Sequence, residues 1–491
     1  MGSLHGGASF GPESCSGGGS SYKIGSISPR NVPRQVLHCK ALLGFTLRAI
    51  SCIAPFLSSL PEGLFLNYRR RKRSYQHEEA HSEEAPTLQA PLVHDQVPAG
   101  DPLMITSDQA LTEYLDEIRQ ASIVAYDTEF IGEETYHPYI CLVQLATTDS
   151  IALIDPLAVT SLDPVWELLA DPTVKKVVHA GKVDLKPVHH GIGRAAASVV
   201  DTQIAAAFAG LPWPVGLARV IESFTGHRLG KGHTFTNWDA RPLSAQQLKY
   251  AADDVRYLPM LWTMLEEELT RRGTLDWALQ ECESSLVMDL CFDPEPHLRK
   301  ISKGIRLKPR VRALLRCLVV ERDRVAELAN QPHRVLVPDS SLLEMTRRKP
   351  TTAAELAAIR GFPRPTAERW HAEFLGILET ADQLDISNEK SSRPSSEPAS
   401  AQVEVDALWM AVCTRLLAQG IAPGMVLSRG ILAEWFLERR SREGQTLFQE
   451  GDWRHEALGD WLAGFISGKH QLVVGWGDRG AIVQEHQNST P

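Results

Sequence analysis

No Cys-x-x-Cys pair occurs in this chain; its eight cysteines are scattered over 491 residues. That spacing excludes a cysteine-built structural zinc site and a disulfide framework, and it fits a reducing compartment. An uninterrupted apolar run long enough to cross a bilayer is also missing. The nearest approach, Ala41 to Leu60, is broken by Arg48 and Pro55, so no membrane partner is expected. A secretory leader puts its basic residues before the apolar core, whereas here Arg69, Arg70, Arg71, Lys72 and Arg73 follow it. An excess of positive charge is lacking as well. The formal net charge of −9 does not mark a nucleic-acid binder, although a total can hide local asymmetry. What is present, 43% hydrophobic and 23% charged residues, is the make-up of a soluble globular protein with room for roughly two to four domains.

Residues 1–100 differ from everything after them. Met1 to Ser21 is rich in Gly and Ser, and Glu78 to Gly100 is acidic, then Pro-containing and polar. Both read as disordered. The scarcity of acids in the first sixty residues would suit an organelle transit peptide, and the basic run would suit nucleic acid or an import receptor. The favoured reading is a poorly ordered extension, with Met104 as the natural start of the folded protein and a cytoplasmic location.

Regular periodicity begins at Thr106. Ser107 is placed to cap a helix over 108–120 whose apolar face carries Leu111, Tyr114, Leu115 and Ile118. Strands are expected from Ile123, ending where Asp127 and Glu129 stand, then at Ile140 to Ala146 and Ile151 to Ile154, spaced as antiparallel neighbours. Helix 162–170, strand 175–179, a helix from near Lys182, strand 198–200 and a helix from Thr202 follow. Hairpin-like strands leading into strand–helix alternation imply an α/β domain, a mixed sheet with helices on both faces. Active sites in such sheets gather at strand ends.

Chemistry is concentrated at three places. The run Ile123-Val-Ala-Tyr126 ends in Asp127-Thr128-Glu129. Residues i and i+2 of a strand share a face, so the two carboxylates project together and Thr128 points away. Such a pair is repulsive unless a cation lies between them, and Mg²⁺ prefers these oxygen ligands. An isolated Asp-x-Glu is more often a solvated strand end. Asp184 falls at an expected helix start, where an acid also suits the helix dipole. Tyr250 and Asp254 share one face of a helix capped by Ser244, with Asp253 turned to solvent. By itself, Tyr250 would read as a half-buried helix aromatic. Between these lies a polar, aromatic loop containing Lys231, Phe235, Asn237, Trp238 and Arg241.

Taken in order, Asp127-Thr-Glu129-Phe, His179-x-x-x-x-Asp184-Leu and Tyr250-x-x-x-Asp254 resemble the DEDD exonuclease superfamily, in the subgroup with a Tyr-x-x-x-Asp third motif. The flanking segments TYHPYICLVQLA, DTQIAAAFAG and RPLSAQQLKYAADDVRYL are similar to the ribonuclease D family. The resemblance covers roughly Met104 to Arg272 and implies a ribonuclease H-like fold. It further implies that Asp127, Glu129, Asp184 and Asp254 hold two Mg²⁺ or Mn²⁺ ions about 4 Å apart, and that Tyr250 orients the attacking water. Glu129 is then placed to contact the terminal 3′-hydroxyl. Phe130 would wedge against the terminal base or pack in the core, and Lys231 is a further candidate nucleic-acid contact. The family usually carries Asp immediately before the Trp that precedes Arg-Pro-Leu; here that position is Asn237, which keeps an acceptor oxygen but loses the charge.

The C-terminal third has a different balance. After a connector over about 273–300, residues 299–381 carry 17 basic and 9 acidic side chains, a net charge of about +8. The arrangement VPDSSLLEMTRRKPTTAAELAAIRGF resembles an HRDC domain, a small helical nucleic-acid-binding module, with Asp339 or Ser340 capping a helix. Arg347, Arg348 and Lys349 are its candidate phosphate contacts. A linker at 385–402 leads to a second helical region, 403–478, either HRDC-like or packed back on the nuclease, and to a frayed tail after Asp478. The expected function is a monomeric, metal-dependent 3′→5′ exoribonuclease trimming structured RNA, in particular transfer RNA precursors. A DNA exonuclease is the nearest alternative, because the metal site does not distinguish sugars. A non-catalytic RNA-binding scaffold is the other, and the retention of four carboxylates and Tyr250 argues against it.

Overall fold

The computed structural model describes residues 90–487 apart from 133, 230–236, 290–291, 388, 390–398, 440–445 and 478–479. Lys231, Phe235 and residues 1–89 of the expected extension lie outside the described residues. Six strands, β1 (Leu103–Ile105), β2 (Ile123–Ile131), β3 (Tyr139–Ala146), β4 (Ile151–Ile154), β5 (Lys175–Val178) and β6 (Val199–Asp201), form one sheet in the order β1-β4-β3-β2-β5-β6. The β2–β3 and β3–β4 pairs are antiparallel; β2–β5, β5–β6 and β1–β4 are parallel. This is the expected mixed sheet, with β1 added at one edge.

Strand alternation divides the apolar side chains between two cores. Val124, Tyr126, Val143, Leu145 and Ile154 face α1 (Asp108–Ile118), α2 (Asp163–Ala170) and α3 (Lys186–Ile192). Ala125, Ala146 and Val177 face the other way, towards α4 (Thr202–Phe208), α5 (Leu217–Thr225), α6 (Ala245–Arg256) and α7 (Leu258–Arg272). Ser107 caps α1 through the Ala110 amide at 3.3 Å, as expected. Ser244 and Gln247 form a reciprocal capping box on α6.

Several expectations need correction. Residues 92–100 are not a loose tail: Val97 is buried in the second core, and Arg256 donates to the carbonyls of Pro98 (2.6 Å) and Gly100 (3.2 Å). The apolar Leu92 and Val97 sit within a polar stretch too short to show a period. The helix expected from Lys182 begins only at Lys186, because Pro187 sets its start. The long helix to Arg272 is divided at Tyr257, two residues before Pro259, and its continuation is not a connector but α8 (Leu275–Asp289) and α9 (Glu295–Ile301).

The helical domain is built on α10 (Pro309–Ala329), α11 (Asp339–Arg348), α12 (Ala353–Ala357) and α13 (Arg364–Glu379), with Leu315, Leu318, Leu342, Met345 and Phe374 in its core. Asp339 opens α11 but does not cap it; its carboxylate takes an ion pair from the buried Arg322 at 2.7 Å. The last helices, α14 (Ala399–Ala418), α15 (Arg429–Arg439) and α16 (Asp460–Ile466), share a core with the sheet domain. Trp453 lies edge-on to Phe208, 4.7 Å between ring centres, and the Ala422 amide donates to Ala207 O at 2.9 Å. Region 403–478 thus packs back on the sheet domain. The tail is not frayed either: β7 (His470–Gly477) and β8 (Gly480–Gln487) pair as a hairpin. Among the described residues, no helix is long and apolar enough to cross a membrane.

Candidate active site

β2 outruns its parallel neighbour. Pairing with β5 covers only Ile123 to Ala125, and β2 continues to Ile131 with a register shift between Glu129 and Phe130. The edge so exposed is filled by the turns over 181–185 that follow β5. Gly181 permits this close reversal, since a Cβ there would lie 2.6 Å from Val178 Cβ. Asp184 is therefore delivered against β2 from a turn and not from a first helical turn, which removes the helix-dipole explanation for this acid.

Tyr126 and Thr128 grip it. The Tyr126 hydroxyl donates to Asp184 O at 2.7 Å, and the Thr128 hydroxyl donates to the Asp184 carboxylate. Thr128, expected to point away from the site, instead holds one of its acids. Alternation places Thr128 correctly on the Tyr126 face; what the sequence hides is that the second motif arrives on that face. On the opposite face, α6 brings Tyr250 and Asp254 towards Asp127 and Glu129, close enough for the Tyr250 phenol to influence the Asp254 carboxyl.

The electrostatics show one cluster. Burial, then repulsion from Asp184, Asp254 and Glu129, raises Asp127 far above the usual carboxylate range. Glu129 is pushed up to about 8 by burial and by Asp254 and Asp184. Asp254 is pushed up to about 7, chiefly by burial, against the lowering bond from Tyr250. Asp184 is raised by burial despite the bond from Thr128. Burial and the neighbouring acids raise Tyr250 as well. Four carboxyls that oppose each other's ionisation are a donor set awaiting hard cations, so the residues fit the divalent metal ions implied by the resemblance.

Surrounding residues set this geometry. His179 bonds Thr202 Oγ1 (2.9 Å) and Val215 O (3.1 Å), and burial pushes its pKa down to about 4. Arg241 forms a bidentate pair with Asp155, both contacts 2.7 Å, and also donates to Trp238 O and Cys141 O. It thereby pins the loop that starts α6. The Arg-Pro-Leu text pointed to this loop but not to its partner 86 positions away. Asp253 is not a solvated residue: Lys249 (2.6 Å) and Arg256 (3.1 Å) flank it. Phe130 is half-buried, its ring 3.3 Å from where a Gly132 Cβ would stand. Asn237 is exposed, its carbonyl accepting from Gln247 at 3.3 Å. Arg347, Arg348 and Lys349 are exposed on the helical domain, paired with Glu344 or Asp382.

Comparison with known proteins agrees with this architecture. A family model described as 3′-5′ exonuclease matches residues 102–270, and an HRDC domain model matches 311–378. Ribonuclease D of Gluconacetobacter diazotrophicus is 34% identical over 386 residues, covering 76% of this chain and 95% of the relative. Ribonuclease D of Escherichia coli is 35% identical over 283 residues, 57% of this chain and 75% of the relative. The crystal structure of Escherichia coli RNase D, described as an exoribonuclease involved in structured RNA processing, superposes with a TM-score of 0.61 at 28% identity, covering 75% of this chain and 99% of that one. With a mixed-sheet exonuclease domain followed by an HRDC domain, this chain belongs to the ribonuclease D family and is a 3′→5′ exoribonuclease.

Proposed function

We propose that the enzyme removes nucleotides one at a time from the 3′ ends of structured RNA, transfer RNA precursors in particular, releasing 5′-nucleotides. The observation that carries the catalytic reading is one cluster of four mutually repelling carboxyls beside Tyr250, Asp184 buried and the other three half-buried. Asp127, Glu129, Asp184 and Asp254 would hold two Mg²⁺ or Mn²⁺ ions. When bound, such ions supply activation of water and neutralisation of charge on the departing 3′-oxygen.

The remaining work belongs to the side chains. The Tyr250 phenol, beside Asp254, orients the attacking water in line with the scissile P–O3′ bond. The water oxygen bonds to phosphorus and the P–O3′ bond breaks. The nucleotide departs with its 5′-phosphate, and the shortened RNA keeps a 3′-hydroxyl. Glu129 accepts from the terminal 3′-hydroxyl, which selects a free end. Phe130 stacks on the last base. Tyr126 and Thr128 keep Asp184 in place. Arg347, Arg348 and Lys349 contact phosphates further along the RNA. Free cysteines at 141, 282, 317 and 413 support a cytoplasmic location, and we take the enzyme to act as a monomer.

The test uses 5′-labelled transfer RNA with extra 3′ residues, in Mg²⁺ or EDTA. Stepwise shortening only with metal, abolished by Asp127→Ala, is the expected result. Shortening that survives Asp127→Ala, or none at all, would remove this assignment and leave an RNA-binding scaffold. Preference for single-stranded DNA in the same assay would move the activity to the other sugar.

A further inference from the structure

A second set of metal-ligating side chains lies where the two domains meet, and it shares no residue with the carboxylate cluster. His137 sits in the turn between β2 and β3, His190 on α3, and Glu327 near the end of α10 in the HRDC domain. Their ligating atoms all lie within 4.8 Å of one another, with His190 Nδ1 4.0 Å from Glu327 Oε1. The two imidazole rings are 4.2 Å apart, centre to centre.

The surroundings hold this trio together. The His137 amide donates to Asn330 Oδ1 at 3.0 Å, and Asn330 ends α10 with a positive φ of 47°. The neighbouring Tyr136 hydroxyl donates to Asp323 on α10, also at 3.0 Å. The turn is thus tied twice to the HRDC helix. Burial and the facing His137, His189 and Lys186 lower the His190 pKa, so its ring is neutral near pH 7 and offers a lone pair.

We propose that His137, His190 and Glu327 form a binding site for a borderline transition-metal ion, Zn²⁺ foremost, that fastens the exonuclease domain to the HRDC domain. Two imidazoles and one carboxylate are a donor set that zinc accepts, with water completing four-coordination. Donors around zinc stand about 3.4 Å apart, given bonds of about 2.1 Å. Mg²⁺, which wants six oxygens, is a poor occupant. The metal would lock the turn that follows Phe130 against the HRDC domain. The absence of paired cysteines does not touch this site, because its ligands come from three distant segments.

The test uses full-length, untagged protein stripped with EDTA and returned to excess Mg²⁺, so that the oxygen-rich cluster is saturated. Zn²⁺ is then added, free metal is removed, and bound zinc is counted by elemental analysis. One equivalent is expected for the wild type, with a rise in thermal midpoint on adding Zn²⁺. Both effects should vanish in His190→Ala and in Glu327→Gln. These exposed positions can be changed without threatening the fold, which circular dichroism verifies. Co²⁺ in place of Zn²⁺ should give a visible absorption band in the wild type only. The site is refuted if the wild type retains no zinc in excess Mg²⁺, or if folded His190→Ala retains as much as the wild type. In either case the trio is only a hydrogen-bonded contact between domains.

Discussion

Protons and metal ions compete for the same four carboxyls, and the direction of the pH effect follows. Glu129 titrates near 8 in the folded, metal-free chain against 4.5 when unfolded. The folded state therefore keeps the extra proton between those values. Its contribution to stability is complete below about 4.5 and is lost as pH rises towards 8. Asp254 acts in the same sense between 3.8 and about 7. In EDTA the thermal midpoint should fall as pH rises across this window, and Mg²⁺ should restore most at the alkaline end. A midpoint that climbs with pH in EDTA would contradict the cluster. On the proposed mechanism, Tyr250→Phe keeps the ring but loses the hydroxyl assigned to orienting water, so kcat should drop by about 10²-fold or more. Thr128→Val removes the donor that steadies Asp184, and kcat should fall with KM for RNA unchanged. Asp127 with Glu129, and Tyr250 with Asp254, were legible as pairs because their spacing matches strand and helix periods, whereas Asp184 joined them only through the motif resemblance. Thr128 was not, because its partner Asp184 is 56 positions away and no local period reports that meeting.

At the scale of elements, the face of α6 that carries Tyr250 and Asp254 depends on how the turn before the helix is anchored. Arg241 holds that turn through Asp155, which is nearly buried and whose carboxyl is kept low by the Arg241 bonds. That pair stabilises the protein above the ordinary Asp value and fades as pH falls below it. Arg241→Ala strands the carboxylate and should cost about 3 kcal/mol, the low end for breaking a buried pair, since the guanidinium retains some solvent contact. Urea unfolding measures this. Arg241→Lys keeps the charge without the planar fork and should fall between the two. Ser107 and Ser244 were readable as caps because capping is a local rule. The segments mistaken for loop or tail, 275–289, 295–301 and 480–487, take their order from contacts remote in sequence. Gln280, for example, accepts from the Trp453 amide at 2.8 Å. The hairpin pairs β8 with β7 across a reversal that local pattern did not mark as a strand end.

For the whole molecule, net charge conceals the division of labour: an acidic total contains a helical domain of about +8. Replacing Arg347, Arg348 and Lys349 together by Ala should raise KM for RNA, leave kcat nearly unchanged, and reduce the salt dependence of binding by about one counterion per side chain. An unaltered salt slope would take this helix end off the RNA path. The core that α4 and α7 form with Leu416, Leu432, Trp453 and Trp461 has a further consequence, for synthesis. A ribosome delivers the sheet, the four clustered carboxyls and Tyr250 well before Trp461. Until that residue emerges, one apolar wall of the sheet domain has no cover, so a prematurely terminated chain displays it to chaperones and proteases. Completion of translation thereby becomes a condition for a stable nuclease, and a half-made enzyme carries its own mark for removal.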